Sequence, residues 1–259
     1  MGKVHPAAAQ PGLCEHAVQL YQEEADLVGA VADFIATGLR EQEAVVVVGT
    51  TPRWQALMQK LHDVSIDAHA AVLRGQLRFL GAKTVINSCL SHGVPDERRF
   101  DAAIGGLLAL ARARYAAVRV FAEVSDMLWR DGERSNALQI ERFWNSLAAD
   151  EPLLLLCCCP LDSLDGRAYD GSLQALCGAH THLIPARDAA AFDESVICAV
   201  NEVLEPQLAR MLHSLVAARR PAVHMPAGQA VLFWLKEHMP RTAEKVLARA
   251  RARGPEPLK

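Results

Sequence analysis

The sequence predicts an α/β protein with a three-layer, parallel-rich sheet, followed by an all-helical C-terminal appendage. Three observations predict this. Short apolar runs of strand length alternate with longer segments whose apolar residues recur at helical spacing. Three of the short runs are apolar almost without interruption, the pattern of strands covered by helices on both faces. Beyond about Pro185 no strand pattern returns, and the chain reads as helix.

In chain order, residues 1–13 (MGKVHPAAAQPGL) are Ala- and Pro-rich and expected to be disordered. His16 opens HAVQLYQEE, which reads as a helical, apolar stretch. A helix over Glu23–Arg40 places Leu27, Val31, Phe34 and Ile35 on one face. Ala44–Gly49 (AVVVVG) is a buried strand. The turn after it leads into a helix near Pro52, with Thr51 as N-cap and proline in the first turn. Strands follow at Gln76–Leu80, Val118–Val124, Leu153–Cys159 and Thr181–Ile184. Helices fall between them at Arg99–Arg114 and Gly132–Ala149. The α/β region is bounded at 14–187 and the helical segment at 188–259. Within the latter, helix runs from Phe192, breaks at Pro206, passes the connector RRPAVHMPAG, and resumes over Gln229–His238 and Ala243–Arg251.

The 259 residues are 51% hydrophobic, enough for one large domain or a medium one with an appendage. A net charge of −3 supplies no global basic field for nucleic acid and no acidic tail. The start lacks the apolar run of a signal peptide, Pro6 breaks the myristoylation pattern, and no apolar run approaches a membrane span. A soluble cytoplasmic protein with no membrane partner is expected. Seven cysteines, three of them consecutive and no CxxC pair, do not form a secreted disulfide framework or a zinc knuckle.

Four features bear on chemistry. VVVVGTTPRWQAL has the strand–turn–helix form that cradles phosphate, yet it has one glycine and lacks the lysine of a nucleotide-hydrolysing loop. Thr50, Thr51 and Arg53 are left as ligand-contacting candidates, against a plain capped turn. Glu123 lies at the carboxyl end of its strand, where ligands collect in parallel sheets; an internal ion pair with Arg119 is the alternative. In LLLLCCCP, alternation puts Cys157 and Cys159 on one face and Cys158 on the other. These are small buried hydrophobes, or a soft-metal or redox group with Cys14, Cys177, His16, His180 or His182 as a further ligand. No HExxH, GxSxG or nucleophile–base pairing occurs, so no catalytic residue is assigned.

Read together, HAVQLY, FIATGLREQEAVVVVGTTPRWQAL, GQLRFLGA, GVPDERRFDAAI, VRVFAEVSDMLWRDG, ALQIERFWNSL, LLLLCCCP and HTHLI resemble, in order and spacing, the MEDS family. This is the sensory domain of methanogen and methylotroph regulators, as in the dichloromethane-responsive repressor and related sensor kinases. The resemblance covers about residues 14–186. It implies a RecA- or KaiC-like core with a degenerate P-loop, small-molecule sensing without catalysis, and transmission to an output module. Its matching positions are His16, Tyr21, Gly38, Leu39, Glu43, Gly75, Leu77, Phe100, Arg119, Glu123, Glu141 and Cys157. Cys159 stands where many relatives carry an aromatic residue, so the cysteine cluster belongs to this chain.

The expectation is therefore a non-enzymatic sensory protein. A small ligand, of unassigned identity and with no assigned cofactor or metal, would bind His16, Thr50, Thr51, Arg53, Glu123, Cys157 and Cys159. The helical segment would serve homodimerisation or contact with a signalling partner, a kinase or regulator. Two alternatives stay open. A DNA-binding transcriptional regulator would use the basic C-terminal helices (Lys236, Arg241, Lys245, Arg249, Arg251, Arg253). A metal- or redox-sensing protein would use the Cys157–Cys159 cluster.

Overall fold

The computed structural model describes residues 15–150, 153–169, 171–185, 189–218 and 223–253. The disorder expected for residues 1–13, the Cys14 ligand and the boundary at 187/188 lie outside the described residues.

The described elements run β1 (Glu15–Tyr21), α1 (Glu24–Arg40), β2 (Ala44–Gly49), α2 (Thr51–Asp63), α3 (Ala68–Leu73), β3 (Leu77–Gly81) and α4 (Ala82–Cys89). A small hairpin of β4 (Leu90–Ser91) and β5 (Val94–Pro95) leads to α5 (Glu97–Arg112), β6 (Val118–Ala122), α6 (Val124–Arg130), α7 (Arg134–Asp150) and β7 (Leu154–Pro160). A short 3-10 turn, α8 (Ser172–Ala179) and β8 (His182–Ile184) follow, then α9 (Ala189–Val203), α10 (Pro206–Ala218), α11 (Ala227–His238) and α12 (Pro240–Arg253). The sheet has six strands in the order β3-β2-β6-β7-β1-β8. The α/β class and the C-terminal helical region are as the sequence predicts.

Two compact units divide the chain. Of the described residues, the first holds 15–17 and 23–159, and the second holds 18–22 and those from 160 on. Strand β1 is common to both.

In the first unit β3, β2, β6 and β7 are mutually parallel, with Val46 opposite Arg78 on one side and Val120 on the other, and Val120 opposite Leu155. Parallel strands need helical crossovers, and the helices cover both faces. On one face Val46, Val48, Val120, Leu155 and Cys157 pack under α4–α7, where Phe100 meets Trp144 edge-on at 5.0 Å. The other face carries Val45, Val47 and Phe121, and α1 and α2 bury Leu27, Val31, Ile35, Leu57 and Leu61. Arg119 also lies on this face. Its guanidinium pairs with Glu43 and, at 2.7 Å, with Glu41, and sits over Phe34. The sequence-based Arg119–Glu123 pair is thus incorrect. Four residues along one strand span about 13 Å, too far for contact.

Three further corrections concern elements. HAVQLY is a strand, not a helix: His16, Val18, Gln19, Leu20 and Tyr21 are all buried, so no alternation marks it. Strand β6 ends at Ala122, and Glu123 occupies the N-cap position of α6. The N-cap position of α2 is Thr50, not Thr51, and its side chain makes no capping bond.

In the second unit, residues 160–185 pack with the C-terminal helices. Leu183 N–H donates to His224 O at 2.8 Å, His224 N–H donates to Thr181 O at 2.8 Å, and Tyr169 meets Phe233 edge-on. Helix α11 starts after Pro226 without a local cap. Asp193 of α9 supplies one, accepting from Gly228 N–H at 2.7 Å and Ala227 N–H at 3.2 Å. The chain breaks at Pro206, which opens α10, as the sequence predicts.

Candidate functional site

The site is built where β2 and β6 end. Gly49 closes β2, Thr50 turns the chain, and α2 begins at Thr51. One strand over, Glu123 leaves β6 with its carboxylate directed back at this turn. Glu123 Oε2 accepts the Thr50 N–H at 3.0 Å. A Cβ at residue 49 would lie 2.9 Å from that same oxygen, so any other residue would push the carboxylate from its place on the Thr50 N–H. A helix N-terminus with free N–H groups is the place that attracts a phosphate. Here an internal carboxylate holds it.

Arg53, on the first turn of α2, is buried among acids. Its Nε and Nη2 donate to the two Glu24 oxygens at 2.7 and 2.8 Å. Nη1 lies 3.4 Å from Glu123 Oε1, 3.7 Å from Asp126 Oδ2 and 3.6 Å from Cys158 Sγ. Asp126 also pairs with Arg130 at 3.1 Å, one helical turn on. Burial opposes the Arg53 charge, yet the Glu24 hydrogen bond and the neighbouring anions raise its pKa. Burial raises the Glu123 pKa, against the pull of Arg53 and the Thr50 N–H. The Glu24 carboxyl is held low, chiefly by its hydrogen bond from Arg53.

Beside this network is a cavity of about 350 Å³, lined by Glu24, Thr50, Arg53, Glu123, Asp126 and Arg130, with Pro52, Ala56 and Met127 as apolar wall. Its charged lining counts three carboxylates against two guanidinium groups.

The sequence-predicted candidates separate into groups. Thr50, Arg53 and Glu123 come together at the cavity. Thr51 is exposed and does not line it. His16 and Cys157 meet on the other face of the sheet, where His16 Nε2 lies 3.2 Å from Cys157 Sγ and 3.1 Å from Glu141 Oε2. Cys159 is buried, with its thiol pKa pushed well above the usual range by desolvation and by the charges of Asp126 and Glu141. Sequence reasoning missed Glu24, Asp126, Arg130 and Cys158. The Asp126–Arg130 spacing at i and i+4 was a readable signal. Alternation puts Cys158 on the face opposite Cys157, and it is the thiol that meets Arg53.

The first unit thus gathers charged side chains at the carboxyl ends of a parallel sheet. Residues 15–181 match the family model described as the methanogen/methylotroph, DcmR sensory domain. The chain belongs to this family, MEDS. No curated protein and no solved structure matches it. Among the described residues no helix is long and apolar enough to cross a membrane.

Proposed function

We propose that this chain is a non-enzymatic sensory protein that binds a small ligand in the cavity at the carboxyl ends of β2 and β6. The observation that carries this reading is the Glu123 carboxylate on the Thr50 N–H, beside a cavity of about 350 Å³. With an internal anion at the helix start and three carboxylates in the lining, a polyphosphate would meet repulsion. The turn is therefore a phosphate loop whose anion position the protein fills itself, on a core of the RecA or KaiC kind. The cavity suits a small neutral or cationic molecule whose donors bind Glu123 or Asp126 and whose apolar part lies against Ala56 and Met127.

The second unit provides the output. Leu208, Met211 and Leu215 of α10 are exposed, and with Trp234 and Met239 they line an apolar groove of about 840 Å³. An exposed apolar stripe of this kind supports self-association or docking of a signalling kinase or regulator.

Native mass spectrometry of the purified chain tests the ligand assignment. A co-purifying small molecule is expected, lost in Arg53→Met and retained in Cys159→Ser. ATP hydrolysis at an enzyme-like rate that Arg53→Ala abolishes would overturn the reading.

A further inference from the structure

We propose that His16 Nε2, Glu141 Oε2 and Cys157 Sγ form a binding site for one divalent transition-metal ion, zinc in preference. These three donors belong to the first unit and lie on the sheet face away from Arg53, so they stand independently of the cavity.

The geometry comes first. The three donor atoms are separated by 3.1 Å (N to O), 3.2 Å (N to S) and 3.3 Å (S to O). A tetrahedral zinc ion with bonds of about 2.0–2.3 Å needs its donors roughly 3.3–3.6 Å apart. A few tenths of an ångström of expansion admits the ion. The three residues come from separate rigid elements, β1, α7 and β7, and are 1%, 2% and 0% exposed. Rigid elements position ligands better than loops do.

The imidazole is also prepared. Asn145 lies one helical turn beyond Glu141, and its Oδ1 is 2.8 Å from His16 Nδ1. A carbonyl oxygen only accepts, so Nδ1 donates to Asn145, and Nε2, which faces Glu141 and Cys157, is the ring nitrogen left for a metal. An orienting partner on the second ring nitrogen is the usual companion of a metal-bound histidine.

Charge gives a third argument. A divalent ion with one carboxylate and one thiolate is neutral overall. On binding, the Cys157 S–H bond breaks, its proton leaves to solvent, and the sulfur lone pair goes to the metal. Nitrogen, sulfur and oxygen donors together favour zinc over hard cations.

The test is metal analysis and X-ray absorption on the full chain, expressed in zinc-supplemented medium and purified under reductant. About one zinc per chain is expected, with one sulfur and otherwise nitrogen or oxygen neighbours. Occupancy should fall at least tenfold in Cys157→Ser and His16→Gln and be unchanged in Cys159→Ser. Asn145→Ala should weaken binding by about 10- to 100-fold. Wild-type protein without zinc, a shell with two or more sulfurs, or full occupancy in Cys157→Ser overturns the proposal. If Cys157→Ser does not fold, the wild-type shell and the Cys159→Ser result decide it.

Discussion

Arg53 is 4% exposed, and what surrounds it is acidic. Replacing it by methionine keeps the packing and leaves Glu123 buried against Thr50 with the Arg53 charge gone. Breaking a buried pair from one side costs about 3–5 kcal/mol, and urea denaturation of Arg53→Met should show a loss of that order. The double variant Arg53→Met with Glu123→Gln should recover much of it, because no unpaired charge then remains. Glu24 is different, since it is half exposed and its pair is screened; Glu24→Gln should cost at most about 1 kcal/mol at neutral pH. Its folded pKa is depressed below the ordinary 4.5. The stability it contributes is present above that value and lost as pH falls through the folded pKa. The difference between wild type and Glu24→Gln should therefore vanish in acid, as pH-dependent melting would record. At this scale half the cavity was legible: Thr50, Arg53 and Glu123 stand at strand ends, where position along a single element identifies them. Glu24 and Asp126 come from α1 and α6, and only tertiary packing brings them to Arg53.

The strand ladders and most helices were readable because periodicity is local, and β1 was misread because burial on both faces removes the period. Residues 16 and 18–21 are apolar or hydrogen-bonded inside, with Gln19 donating to the Leu20 and Pro185 carbonyls at 2.9 and 3.0 Å. Helix ends supply two element-scale predictions. Asp193 caps α11 from another helix, a feature no sequence window contains. Asp193→Ala should destabilise by about 1 kcal/mol and Asp193→Asn by less, measured by chemical denaturation. On α1, Gly38 allows the sheet to approach: a Cβ there would lie 2.8 Å from Arg119 Cδ and 3.0 Å from Val45 Cγ2. Arg119 is held by Glu41 and Glu43 and has little freedom to yield. Gly38→Ala should therefore cost about 1–3 kcal/mol despite the better helix propensity of alanine, and a stabilised variant would refute this account.

On the scale of the whole chain, the family match ends at residue 181, inside the second unit. Residues 160–185 take their partners from α9–α12: Gln229 Nε2 donates to Tyr169 OH at 3.4 Å, and Phe233 stacks on the Tyr169 ring edge. A chain ending at Arg187 strips those partners away. It should aggregate or melt well below the full chain, as size-exclusion and thermal denaturation would reveal; a soluble fragment with undiminished stability would argue against this packing. The helical character of the C-terminal segment was legible in its periodicity. Its packing against residues 160–185 was not, because contacts between distant segments leave no local pattern. The cysteines add a kinetic dimension. All six described thiols are free, with Cys89 and Cys157–Cys159 buried and Cys177 and Cys198 partly accessible. A thiol-reactive dye thus meets two populations. One titrates the folded surface at once, and the other waits for the central strand to open, so labelling rates at Cys157–Cys159 time the breathing of the sheet without any introduced probe.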